Sequence, residues 1–123
     1  MKMMYMGARV LLGLIFVVFG LNGFFQFMPV PPLPPEAGAF MGALATTGYM
    51  LPFIKITEIV TGALLLGGIF VPFALVVLAP VALNIFFFHL FLAPGGLIIA
   101  LLIVILMLIT AWGHRQHFRS LFY

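Results

Sequence analysis

Lys55 and Glu58 stand three residues apart inside an apolar run covering residues 52–70. At that spacing an ammonium and a carboxyl group lie close to one helical face. They can pair with each other, or they can hand a proton to a bound molecule and take one back. A charged side chain in mid-bilayer costs about 3 kcal/mol or more, so it persists when it is paired, hydrated or used. Four further polar residues interrupt apolar runs: Asn22, Gln26, Asn84 and His89.

The elements that must position these groups follow from composition. The chain has 123 residues, of which 66% are hydrophobic and 6% charged, and its mean hydropathy is +1.38. Soluble domains carry about 25% charged residues. So few charges cannot cover a water-soluble surface, and lipid is the expected solvent. Four spans are expected, at about residues 4–27, 52–70, 73–93 and 97–112. They and their connections use nearly the whole length as one integral membrane domain, 1–123, with no soluble catalytic domain left over. The first run is too long for a signal peptide's apolar core and no small-x-small site follows it, so it reads as a retained span.

Between spans one and two, residues 29–35 hold five prolines in seven positions. That density favours an extended polyproline segment. Residues 36–48 then read as a short helix lying at the interface or re-entrant, with Phe40, Met41 and Leu44 on one side. The fold class is all-α: a membrane four-helix bundle with a short interfacial helix in its first loop. Gly13 and Gly20, seven apart, share a face of span one, and with Gly23 and Gly62 they are expected where helices approach closely. Gly67, Gly68 and Pro72 mark one turn, and Pro94, Gly95 and Gly96 another. Pro80 is expected to kink span three. Span four, nearly all Leu, Ile and Val, reads as a lipid-facing packing helix. Arg9 is expected to snorkel to the headgroups.

Lys2, Arg9, Arg115 and Arg119 all lie near the two ends, while the loops carry no Lys or Arg. An even number of spans puts both ends on one side, and the positive-inside rule makes that side cytoplasmic. The six polar residues then come from three spans into one layer, roughly 3–15 Å below the outer boundary. Asn22 and Gln26, four apart, share a face of span one. Glu58 lies about 9 Å in from Pro52 along the axis, and Asn84 is expected to face it. Asn84 and His89 are about 140° apart around a regular helix, so they share a direction only if the Pro80 kink alters the twist.

Two readings of this layer are open. Polar groups can simply tie helices together, at about 1 kcal/mol per hydrogen bond. Alternatively, Glu58, Lys55, Asn84, His89, Asn22 and Gln26 form a site for a quinone or other lipophile, with part of Phe86, Phe87 and Phe88 lining an apolar slot. No catalytic set is assigned. With no cysteine, thiolate metal sites and disulfides are excluded. His89 lacks a second histidine at ligand spacing, and His114 and His117 sit in a basic, aromatic tail suited to a headgroup surface, so no metal, haem or other intrinsic cofactor is expected. The positive charge is that of a membrane protein, with no nucleic-acid partner expected.

The stretch Arg9-Val-Leu-Leu-Gly-Leu-Ile-Phe-Val-Val-Phe-Gly-Leu-Asn22 is similar to the first helix of the DoxX/DoxD-like family of small four-helix membrane proteins. Lys55-Ile-Thr-Glu-Ile-Val-Thr-Gly-Ala-Leu-Leu-Leu-Gly-Gly68 resembles that family's Glu-x-x-x-Gly pattern and the apolar run after it. Members often carry a lysine where this chain has Asn22-Gly23, and Lys55 stands in for it. The resemblance implies a bundle in the bacterial inner (cytoplasmic) membrane. Some relatives are named as small subunits of thiosulfate:quinone or terminal quinol oxidase systems, and others are associated with oxidative-stress assemblies. The chain accordingly reads more readily as a non-enzyme: an accessory subunit packed in a larger membrane complex or a homo-oligomer, with quinone or lipid as its ligand. The alternatives are a quinone-reactive oxidoreductase subunit using Glu58, and a transporter or export helper for a lipophile. Four helices are few for a monomeric pathway, so the transporter would have to be an oligomer.

Overall fold

The computed structural model describes residues 2–27 and 32–122, the side chains of Ser120 and Phe122 excepted. Among these the chain is helical with no strand: α1 (Lys2–Phe25), α2 (Pro35–Thr46), α3 (Met50–Gly67), α4 (Val71–Phe87) and α5 (Leu97–Gly113). A π-helical turn, Phe88–Leu92, extends α4, and a 3-10 turn, Pro94–Gly96, leads into α5. A 3-10 tail, Arg115–Phe122, follows. Four helices are long and apolar enough to cross a membrane, α4 being counted with its π turn and α5 with its 3-10 lead-in. The chain is a multi-pass membrane protein. Of the proline-rich segment, residues 28–31 lie outside the described residues.

The four long helices close into a ring in which α1 packs on α3, α3 on α4, α4 on α5 and α5 on α1. Lipid tails are as apolar as leucine, so burying apolar area does little to join helices in a bilayer; close van der Waals contact does. The α1–α3 seam shows this. A Cβ on Gly13 would stand 2.7 Å from the Gly62 carbonyl oxygen, and a Cβ on Gly62 would stand 2.9 Å from that of Gly13. The two backbones touch where side chains are absent. Further along, Gly20 meets Ile59, and Gly23 lies under the Lys55 stem.

Ala8, Leu12, Phe16, Leu65, Ala74, Leu78, Ile103 and Leu106 form the core, weighted towards the end that carries the termini. At that end Tyr5 packs over Gly113. Arg9 does not simply reach for headgroups there. Its guanidinium bonds the Leu65 carbonyl, donates to that of Leu66 at 3.3 Å, and lies against Gly68, whose φ is +69°. It caps the C-terminus of α3, where the Leu65 carbonyl otherwise accepts only a long bond, 3.3 Å, from the Gly68 N–H.

At the opposite end Pro35 and Glu36 occupy the first turn of α2. α3 starts at Met50, two residues before Pro52, because Thr47 Oγ1 accepts from the Met50 N–H at 3.0 Å. α4 keeps its winding through Pro80 as far as Phe87, and the winding changes only at the π turn. α5 turns Ala100, Ile103, Leu106 and Thr110 inward and leaves Ile98, Leu108 and Trp112 exposed.

Candidate functional site

In the half of the bundle away from the termini the ring does not close on itself. A cavity of about 1040 Å³ opens between the helices. Phe16, Phe19, Asn22 and Gly23 line it from α1, and Gln26 from the chain just beyond. α3 contributes Leu51, Pro52, Ile54, Lys55 and Glu58. α4 and its π turn contribute Pro80, Val81, Asn84, Ile85, Phe88 and His89, and α5 adds Ile99 and Ile103. Phe40, Met41 and Leu44 of α2 complete the wall. All six polar residues singled out in the sequence therefore border one space.

Lys55 Nζ donates to Glu58 Oε1 at 3.3 Å. The pair is unequal: the Glu58 side chain is 5% exposed, that of Lys55 26%. Glu58 is sunk in the wall, while the lysine's stem lies over Gly23 and its more exposed side chain also lines the cavity. Thr57 and Thr61 lie on the same helix but return their hydroxyls to the carbonyls of Phe53 and Thr57, so they add no donor to the cavity. Asn84 is exposed along the cavity, and its side chain makes no hydrogen bond to another described residue.

Asn84 and His89 both line the cavity, Asn84 from α4 and His89 from the π turn that extends it. His89 Nδ1 lies 3.2 Å from the Ala93 carbonyl oxygen, and its ring stands edge-on to Phe88 at 5.2 Å. In the neutral ring that bond places the proton on Nδ1 and leaves Nε2 as an acceptor. The ring lies so close to Gly96 that a Cβ there would fall 2.5 Å from it. Gly96 is thus required for the histidine's placement.

One expected relation does not hold. Asn22 and Gln26 do not share a helical face, because α1 ends at Phe25 and Gln26 takes a left-handed φ of +51°. Its N–H still bonds the Asn22 carbonyl at 2.8 Å. Gln26 lines the cavity from outside the helix.

Sequence reasoning missed two contributors. α2 closes the cavity, with the Phe40 ring 5.7 Å from that of Phe88; the one-sided Phe40, Met41 and Leu44 were the available signal. Gly96 gave none beyond being a turn residue. Among the described residues no group of three His, Cys, Asp or Glu side chains gathers as a metal site would. The cavity as built offers ammonium and amide donors, a buried carboxyl group and a long apolar wall. That combination suits a molecule with an apolar body and a hydrogen-bonding head. No family model matches this chain, and no characterised protein or solved structure matches it either.

Proposed function

We propose that this protein is a small DoxX-like accessory subunit of a larger redox-linked membrane complex, and that it holds a quinone or similar carbonyl-bearing lipophile between its helices. The observation that carries the reading is the cavity of about 1040 Å³. It is large enough for a ring and part of a tail, and polar groups from three helices converge on it. Lys55 and Asn84 donate to the head's carbonyl oxygens, Glu58 exchanges a proton with a head that is reduced elsewhere in the complex, and the phenylalanines hold the apolar body. With Lys2, Arg9, Arg115 and Arg119 on the terminal side, the cavity lies in the outer half of an inner membrane.

A photoreactive short-chain benzoquinone, incorporated with the protein in phospholipid nanodiscs, tests the site. Cross-links should map to α3 and α4 around Glu58 and Asn84, compete with unlabelled quinone, and weaken about tenfold in Glu58→Gln. Labels scattered over the lipid-facing side of α5, or undiminished labelling in Glu58→Gln, would reject it. Purification from native membranes in mild detergent tests the subunit role: a monodisperse chain recovered alone would remove that part of the proposal.

A further inference from the structure

The opposite end of the molecule carries a second arrangement that the cavity does not use. A groove of about 300 Å³ runs along the end of α5 and the 3-10 tail, lined by Leu108, Ala111, Trp112, Arg115, Phe118 and Arg119. Its floor is apolar and its rim is two arginines. Phe118 packs against the core and pins the tail to the bundle. Arg115 is fixed twice over: its Nη1 donates to the Trp112 carbonyl at 2.8 Å, and its guanidinium carbon lies 4.8 Å from the Trp112 ring centroid. A guanidinium has five N–H donors, so most of those on Arg115 stay available. Arg119 is exposed and makes no hydrogen bond or ion pair with another described residue.

Charge is segregated just as sharply. The chain has two acidic residues, Glu36 and Glu58, and both belong to the cavity end. Four of its five Lys and Arg residues lie at the terminal end. No Asp or Glu side chain stands at that end beside the arginines. A lone tryptophan beside them is the residue type found at headgroup level.

The geometry points to a binding site for one anionic phospholipid, with its phosphate on Arg115 and Arg119 and an acyl chain along Leu108 and Ala111. A phosphate accepts paired N–H donors from a planar guanidinium, and Arg115 is held ready for it. The apolar floor continues onto the outer face of α5, where the rest of the acyl chain meets bulk lipid. A free phosphate would gain nothing from that floor.

Trp112 is the chain's only tryptophan and reports on the groove directly. The protein is reconstituted in bilayers of phosphatidylcholine and phosphatidylglycerol in which one or the other lipid is brominated, and quenching of Trp112 is compared at equal mole fraction. Brominated phosphatidylglycerol should quench as though enriched about fivefold or more per engaged arginine. Arg119→Gln should lower the enrichment, Arg115→Gln/Arg119→Gln should bring it near one, and the double lysine variant should retain part of it. Since Arg119 bonds no other described residue, its variant isolates binding from folding. Equal quenching by the two lipids in the unaltered protein, or an undiminished preference in the double glutamine variant, overturns the site. Benzoquinone labelling of the cavity should be unchanged in these variants, so either site can fail without the other.

Discussion

The two halves of the bundle are built on opposite rules. Towards the termini, α1 and α3 touch backbone to backbone at Gly13 and Gly62, Leu12 and Leu65 are fully buried, and Arg9 closes the end of α3. Away from the termini the same helices, with α4, α5 and α2, border about 1040 Å³ of space lined by a buried acid, a lysine and an exposed asparagine. One half holds the helices together by contact; the other uses that rigidity to keep a cavity open. Hollowing a site into a bundle forfeits dispersion contacts along its walls. The glycine seam supplies close van der Waals contact elsewhere, and the Arg9 cap adds charged hydrogen bonds to the end of α3.

Breaking the packed half should have the largest effect. Gly13→Leu pushes a side chain into the Gly62 carbonyl, with a cost of about 3 kcal/mol or more. Most of the protein should leave the folded peak in size-exclusion chromatography, and retention of the native melting temperature would show that the seam is not what joins α1 to α3. Next comes Arg9→Met, which leaves the Leu65 and Leu66 carbonyls short of a charged donor and should cost about 2 kcal/mol. Denaturation in detergent by increasing SDS measures it.

The hollow half should respond in binding and not in stability. Asn84→Leu removes a donor that holds no other described residue, so the unfolding free energy should stay within about 0.5 kcal/mol. Quinone labelling should fall about fivefold, the equivalent of one hydrogen bond. A matching loss of stability would mean that Asn84 is a structural tie. The most local effect is expected from Phe40→Ala. The Phe40–Phe88 contact is worth about 1 kcal/mol beyond its area. Hydrogen exchange should quicken in α2 while α1 and α3 keep their protection, and uniform loosening would tie α2 to the bundle's global stability.

The four membrane helices and the short helix between them were legible because hydropathy and turn residues act locally. Runs of about twenty apolar residues can only span, and Gly67-Gly68 with Pro72 can only turn. The layer of Asn22, Lys55, Glu58, Asn84 and His89 was legible for the same reason, since antiparallel hairpins fix depth from residue number alone. Gln26 was placed on the wrong geometry, because the final turn of α1 is decided by its neighbours and not by spacing.

Hydropathy and chain order thus settled which segments are long and apolar enough to cross a membrane and which polar groups fall towards the end of the bundle away from the termini. Only the assembled bundle decided that those groups border a common hollow, that the π turn carries His89 in its wall, that Phe40 packs on Phe88 there and that Arg9 serves α3. The physical reason is range. Transfer to lipid is summed residue by residue along the chain, whereas a cavity is the space left among helices far apart in sequence, here α1, α3, α4, α5 and the covering α2.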